Sequence, residues 1–107
     1  MPSQLLMVVE NTLHLPGLGL LALPGRQHQP SLRRFPIHAN LEVELRFANG
    51  HTLTVPASVE ELQRPADDPG PDQQADYVLL IESDDVGALP GGTTVWVSQT
   101  WIEIYHL

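Results

Sequence analysis

Leu41-Glu42-Val43-Glu44-Leu45-Arg46-Phe47 alternates apolar and charged residues at every step. Successive side chains of an extended chain point to opposite faces, so Leu41, Val43, Leu45 and Phe47 share one face and Glu42, Glu44 and Arg46 the other. The segment predicts a half-buried strand. Thr52-Leu53-Thr54-Val55 alternates in the same way after Asn49-Gly50, a strong hairpin signal. Parity selects the turn. A two-residue Asn49-Gly50 loop pairs Arg46 with Leu53 and forces a leucine out or an arginine in. A three-residue loop, Ala48-Asn49-Gly50, pairs Leu45 with Leu53 and Val43 with Val55, with Gly50 in the left-handed position of a bulge. The second register keeps one apolar face intact and is preferred.

Further strands are expected over Leu5 to Glu10, Leu18 to Leu23, Tyr77 to Glu82, Thr93 to Val97 and Thr100 to Tyr105. Ser58-Val59-Glu60-Glu61 fits a capping box opening a short helix, but Leu53, Val55, Ala57 and Val59 carry the period-2 pattern through it, which favours strand. Residues 24–36 and 63–76 read as long loops: prolines remove backbone donors from the first, and the second combines prolines with four aspartates and is expected to be mobile. No amphipathic run of helical period reaches ten residues. Short strands separated by Gly and Pro turns predict an all-β fold, a small, mostly antiparallel β-barrel occupying 1–107 as a single domain, with 98–107 a strand-like C-terminal extension.

Composition narrows the chemistry. The 107 residues include 13 acids, no lysine and no cysteine, for a net charge of -8. Without cysteine there is no thiol nucleophile, thiolate metal site or disulfide, and without lysine no Schiff base. An acidic chain lacks the basic patch that binds nucleic acid or an anionic membrane. The charge is unevenly distributed: residues 1–55 hold four arginines against three acids, whereas 56–107 hold ten acids against Arg64. The run Leu5 to Val9 is too short for a signal-peptide core or a membrane span, so a cytoplasmic location is expected.

Val9-Glu10-Asn11-Thr12-Leu13-His14-Leu15-Pro16-Gly17-Leu18-Gly19-Leu20-Leu21 resembles the opening of the second, β-barrel domain of elongation factor Tu and related translational GTPases. There a hydrophobic-Glu-Asp strand leads to a Gly-x-Gly turn and a second apolar strand. Tyr77 to Glu82, Asp84-Asp85-Val86 and Pro90 to Val97 resemble that family's late strand, acidic turn and glycine-started final strand. The resemblance spans about Val8 to Val97 and implies a barrel of that topology. It does not imply the activity. Gly17-Leu18-Gly19-Leu20 stands where the family has Gly-Arg-Gly-Thr, no phosphate loop is present, and no RNA-contacting residue carries over.

Each candidate for chemistry has a plainer structural reading. Glu42 and Glu44 share a face with Arg46, as a glycosidase pair could, but a solvated, ion-paired strand face accounts for them. Asp84-Asp85 reads as turn capping. The five histidines, His14, His28, His38, His51 and His106, show no metal-ligand spacing, and no serine sits in a Gly-x-Ser-x-Gly elbow. No cofactor, metal or nucleotide is expected. Two features suggest interaction surface instead. Trp96 is outward if Val95 and Val97 are core, and Trp101, Ile102, Ile104 and Tyr105 are too apolar for water and must close the barrel, plug one end or meet a partner.

The preferred expectation is a non-catalytic protein-interaction module: a stand-alone acidic barrel binding a protein partner, with a basic one favoured, as an inhibitor, an immunity-like protein or an accessory domain. Its expected contact residues are Trp96, Trp101, Tyr105, Glu42, Glu44, Asp84 and Asp85. A small-ligand binder or hydrolase using His14, His51 and Asp84 at the barrel mouth is the alternative, and a homodimer formed through the tail is a third reading.

Overall fold

The computed structural model describes residues 3–24, 32–62, 76–83 and 89–105. Among them six strands, β1 (Ser3–Leu15), β2 (Gly19–Pro24), β3 (Asn40–Arg46), β4 (Thr52–Leu62), β5 (Asp76–Ile81) and β6 (Thr94–Ser98), precede one short helix, α1 (Gln99–Ile104). The strands close in the order β1-β2-β5-β4-β3-β6, every neighbouring pair antiparallel. This is the all-β barrel expected from the pattern. Closure gives each of these strands a hydrogen-bonded neighbour on both sides.

Alternation dictates the core. Leu41, Val43 and Leu45 of β3 face inward against Val55, Ala57 and Val59 of β4, Leu79 and Ile81 of β5, and Val95 and Val97 of β6, all buried in one cluster. Leu45 pairs with Leu53 and Val43 with Val55, the register the three-residue loop requires. The turn closes through the Phe47 N–H to His51 O at 2.9 Å and the Gly50 N–H to Phe47 O at 3.0 Å, with Gly50 at φ +92. Asn49 Oδ1 accepts from the His51 N–H at 3.0 Å. Leu53 keeps 39% of its surface exposed because its inward position falls at the open rim. Strand β4 runs unbroken through Ser58-Val59-Glu60-Glu61, so the period-2 pattern prevails over the capping signal.

With alternate strands antiparallel, the β1–β2, β3–β4 and β5–β6 connections lie at one end, and the β2–β3 and β4–β5 connections, with α1, at the other. The second end is capped. Leu32 and Phe35, within the segment read as loop, are buried in the core cluster beside Ile102 of α1. Arg33 stacks over the Tyr77 ring at 4.5 Å. Residues 25–31 and 63–75, which hold most of the two expected loops, lie outside the described residues, and with them the expectation of mobility.

The tail departs from expectation. The segment expected as a strand over Thr100 to Tyr105 is helical through Ile104, with Tyr105 as the C-cap. Strand β6 already has β1 on one side and β3 on the other, so no edge remains for a further strand to pair with. A helix instead places Trp101 and Ile102, four and three residues before Tyr105, on the side of that residue. Ile102 enters the core, Tyr105 meets Phe35 edge to face at 5.7 Å, and the Tyr105 hydroxyl donates to Asn40 O at 2.9 Å.

Candidate functional site

The outer wall of β3 and β6 gathers three of the expected contact residues. Trp96 pairs with Glu44 on β3 and with Leu5 on β1, so Leu5, Trp96 and Glu44 form one row across three strands. Val95 and Val97 are buried to either side of Trp96, which fixes its outward direction. The tryptophan is half-buried there by the Arg46 guanidinium, 4.1 Å from its ring centroid, and its Nε1–H donates to Thr94 Oγ1 at 2.9 Å. Arg46 Nε in turn bonds the Glu44 carboxylate. Glu42 is exposed on the same face. This wall thus carries an aromatic plate with two carboxylates beside it, one already neutralised by Arg46 and one facing water.

Trp101 and Tyr105 are not on this wall. Both pack half-buried against the core at the capped end. Asp84 and Asp85 lie outside the described residues. The expected set therefore divides between two regions of the surface, with Trp96, Glu42 and Glu44 together and the tail aromatics at the end of the barrel.

The mouth alternative can be placed in part. His14 pairs with Leu20 at the end of the β1–β2 hairpin, and His51 lies in the β3–β4 turn; both are exposed, on different hairpins. The interior behind them is filled, with Leu45, Leu79, Ile81, Val59 and Val95 essentially inaccessible. No buried side-chain nitrogen or oxygen among the described residues lacks a hydrogen-bond partner. None is therefore held in reserve for a ligand.

One polar cluster escaped the sequence reading. Ser58 Oγ donates to Glu60 Oε2 at 2.8 Å, and His38 Nδ1 lies 2.9 Å from Glu60 Oε1. Ser58 and Glu60 share a face of β4 because they are two residues apart, and His38 arrives through a backbone pairing in which its N–H donates to Val59 O and Ala39 O accepts from the Val59 N–H. His38 takes a positive φ of 68 to make it. The order of groups rules out activation of Ser58 by His38: the hydroxyl proton points at the carboxylate, and the imidazole nitrogen near that carboxylate must be its donor. The cluster fixes the 32–39 segment to the barrel wall.

Also unforeseen is a second apolar face. Leu21 and Val78 are buried yet stand outside the core cluster. They lie on the outward parity of β2 and β5, with Leu13 paired to Leu21 and Leu21 to Leu80. The signal was present as unbroken apolar runs, Leu20 to Leu23 and Tyr77 to Ile81, which mark strands apolar on both faces.

Among the described residues no group of three or more His, Asp or Glu side chains could hold a metal ion, and no helix is long and apolar enough to cross a membrane. Compared with models of protein families, with curated proteins and with solved structures, the chain matches none. The resemblance to the elongation-factor barrel draws no support from those comparisons.

Proposed function

We propose that this chain is a non-catalytic protein-interaction barrel that binds a basic protein partner, with Trp96, Leu5, Glu42 and Glu44 at the centre of the contact. The observation that carries this reading is the outward Trp96 plate beside Leu5, which is itself 37% exposed. Tryptophan gives a large rigid contact at small entropic cost, and anchors of this kind dominate protein interfaces. Charge supports the sign of the partner. A chain of net charge -8 attracts a basic surface and repels nucleic acid. Arg46 acts here as a positioning residue, holding the indole flat against the wall.

The test is affinity capture on the immobilised chain at low ionic strength, repeated with Trp96→Ala and with Leu5→Ser. A basic protein retained by the wild type, released by salt and lost from both variants agrees with the proposal. Partner association should slow as salt rises, because steering is screened. If nothing is retained at low salt, or the variants retain the same protein equally well, this reading is wrong.

A further inference from the structure

The Ala48-Asn49-Gly50 loop that sets the β3–β4 register also brings together the parts of a reaction. Asn49 and Gly50 are both exposed at the tip of that hairpin. Asn49 Oδ1 accepts from the His51 N–H at 3.0 Å, an Asx turn that draws the carboxamide back towards the chain following it. The next nitrogen in that chain belongs to Gly50, and its N–H donates to Phe47 O at 3.0 Å. Glycine has no side chain to shield that nitrogen, and the space where a Cβ would stand is open. The remaining asparagines, Asn11 and Asn40, are placed differently. Asn11 lies in β1 paired with Leu23 and Asn40 in β3 paired with Ser58, and Thr12 and Leu41 each set a side chain beside the nitrogen that would attack.

We propose that Asn49 is a site of spontaneous modification, converted to aspartate and isoaspartate while the barrel stays folded. Hydroxide takes the Gly50 amide proton, and the freed electron pair on nitrogen forms a bond to Asn49 Cγ. The negative charge passes to Oδ1, the atom that the His51 N–H already meets, so a backbone donor stands where the tetrahedral intermediate needs one. The bond from Cγ to the carboxamide nitrogen then breaks, and ammonia leaves with a proton from water. Water adds to either carbonyl of the resulting five-membered imide and opens it to aspartate or isoaspartate. Water is consumed and ammonia released, with no change of oxidation state. Only the Gly50 N–H bond to Phe47 O must be given up first, which is an opening of the turn and not of the barrel. Aspartate keeps an oxygen for the His51 N–H and adds negative charge to the hairpin. Isoaspartate runs the main chain through the side-chain carbons and so lengthens a loop whose length fixes the β3–β4 register.

The test incubates the intact chain at neutral and at mildly alkaline pH, follows its mass, and maps the change by peptide digestion with an isoaspartate assay. Expected is a gain of about 1 Da per chain at Asn49, faster at the alkaline pH and at least about tenfold faster than at Asn11 or Asn40. A second series adds guanidinium chloride in steps that stay below the unfolding transition, with the free peptide Arg46 to Thr52 in the same buffers to correct for effects on the chemistry. A corrected rate at Asn49 that stays level through the series supports reaction from the folded barrel. A rate that climbs in proportion to the unfolded fraction overturns the proposal, because the turn then protects Asn49 until the chain unfolds. Conversion of Asn11 or Asn40 as fast as Asn49 overturns it too, as does an unchanged Asn49 under conditions that fully convert the peptide.

Discussion

The Arg46 guanidinium lies 4.1 Å from the centroid of the Trp96 ring while its Nε bonds Glu44, so one arginine serves an aromatic face on β6 and a carboxylate on its own strand. Arg46 pairs with Thr94 and Trp96 with Glu44, which makes the stacking pair diagonal neighbours. Long side chains reach across that diagonal. Arg46→Ala should cost about 0.5–1.5 kcal/mol, most of it from the stacked pair, since an exposed ion pair adds little. Urea unfolding measures the loss, and the Trp96 emission should shift to the red as its ring meets water. Arg46→Lys should restore only part of the stability, because an ammonium lacks the planar stacking surface.

Gly19 has a different constraint. It sits at φ +132, and a Cβ placed there would lie 2.1 Å from Ile81 O, a backbone atom held in the β2–β5 ladder. Neither the backbone conformation nor the neighbour can yield cheaply. Gly19→Ala should therefore destabilise the barrel by about 3 kcal/mol or more. Gly91→Ala is the control: its new Cβ would meet Glu10 O at 3.5 Å, an ordinary contact, and its denaturation midpoint should stay close to wild type. Equal effects in the two variants would show that the β2–β5 approach is looser than described.

Much of this fold is legible in the sequence because alternation is a local rule. The Leu41 to Phe47 pattern set the β3 faces, and parity across Asn49-Gly50 set the β3–β4 register residue by residue. Trp96 was placed outward by the same argument. The rule fails where a strand has two apolar faces, as in Leu20 to Leu23, since an unbroken run carries no parity. It fails again where topology decides. Nothing local in Thr100 to Tyr105 says that β6 already has both neighbours, so a segment with strand-like residues becomes a cap. The Ser58, Glu60 and His38 cluster needs residue 38 to approach β4 with a positive φ, a relationship between segments that no spacing encodes.

The helical tail can be separated from a strand by two substitutions. Ile102 and Ile104 are two residues apart and would share a face in a strand. In α1 they do not: Ile102 is 4% exposed and Ile104 53%. Ile102→Ala should cost about 2–4 kcal/mol for the lost burial and the cavity left in the cap. Ile104→Ala should change stability by no more than about 0.5 kcal/mol, in keeping with an exposed site. Chemical denaturation of both variants decides the matter, and equal losses would speak for a strand.

His38 offers the sharpest test of the backbone at the capped end. Its φ of 68 costs an L-residue energy that glycine does not spend, while its N–H donates to Val59 O at 2.7 Å and its Nδ1 meets Glu60. The side chain is 77% exposed, so the Glu60 contact contributes about 0–1 kcal/mol. Relief of backbone strain is of similar size, about 1 kcal/mol. His38→Gly should therefore fold with stability close to wild type, the two effects offsetting each other. His38→Ala loses the Glu60 contact and keeps the strain, and should fall below wild type by up to about 1 kcal/mol. His38→Pro can supply neither the positive φ nor the donor to Val59 O, and should lose about 3 kcal/mol or more. The expected order of denaturation midpoints is glycine near wild type, then alanine, then proline. Alanine above glycine would mean that the positive φ imposes no cost and that the Glu60 contact alone accounts for the histidine.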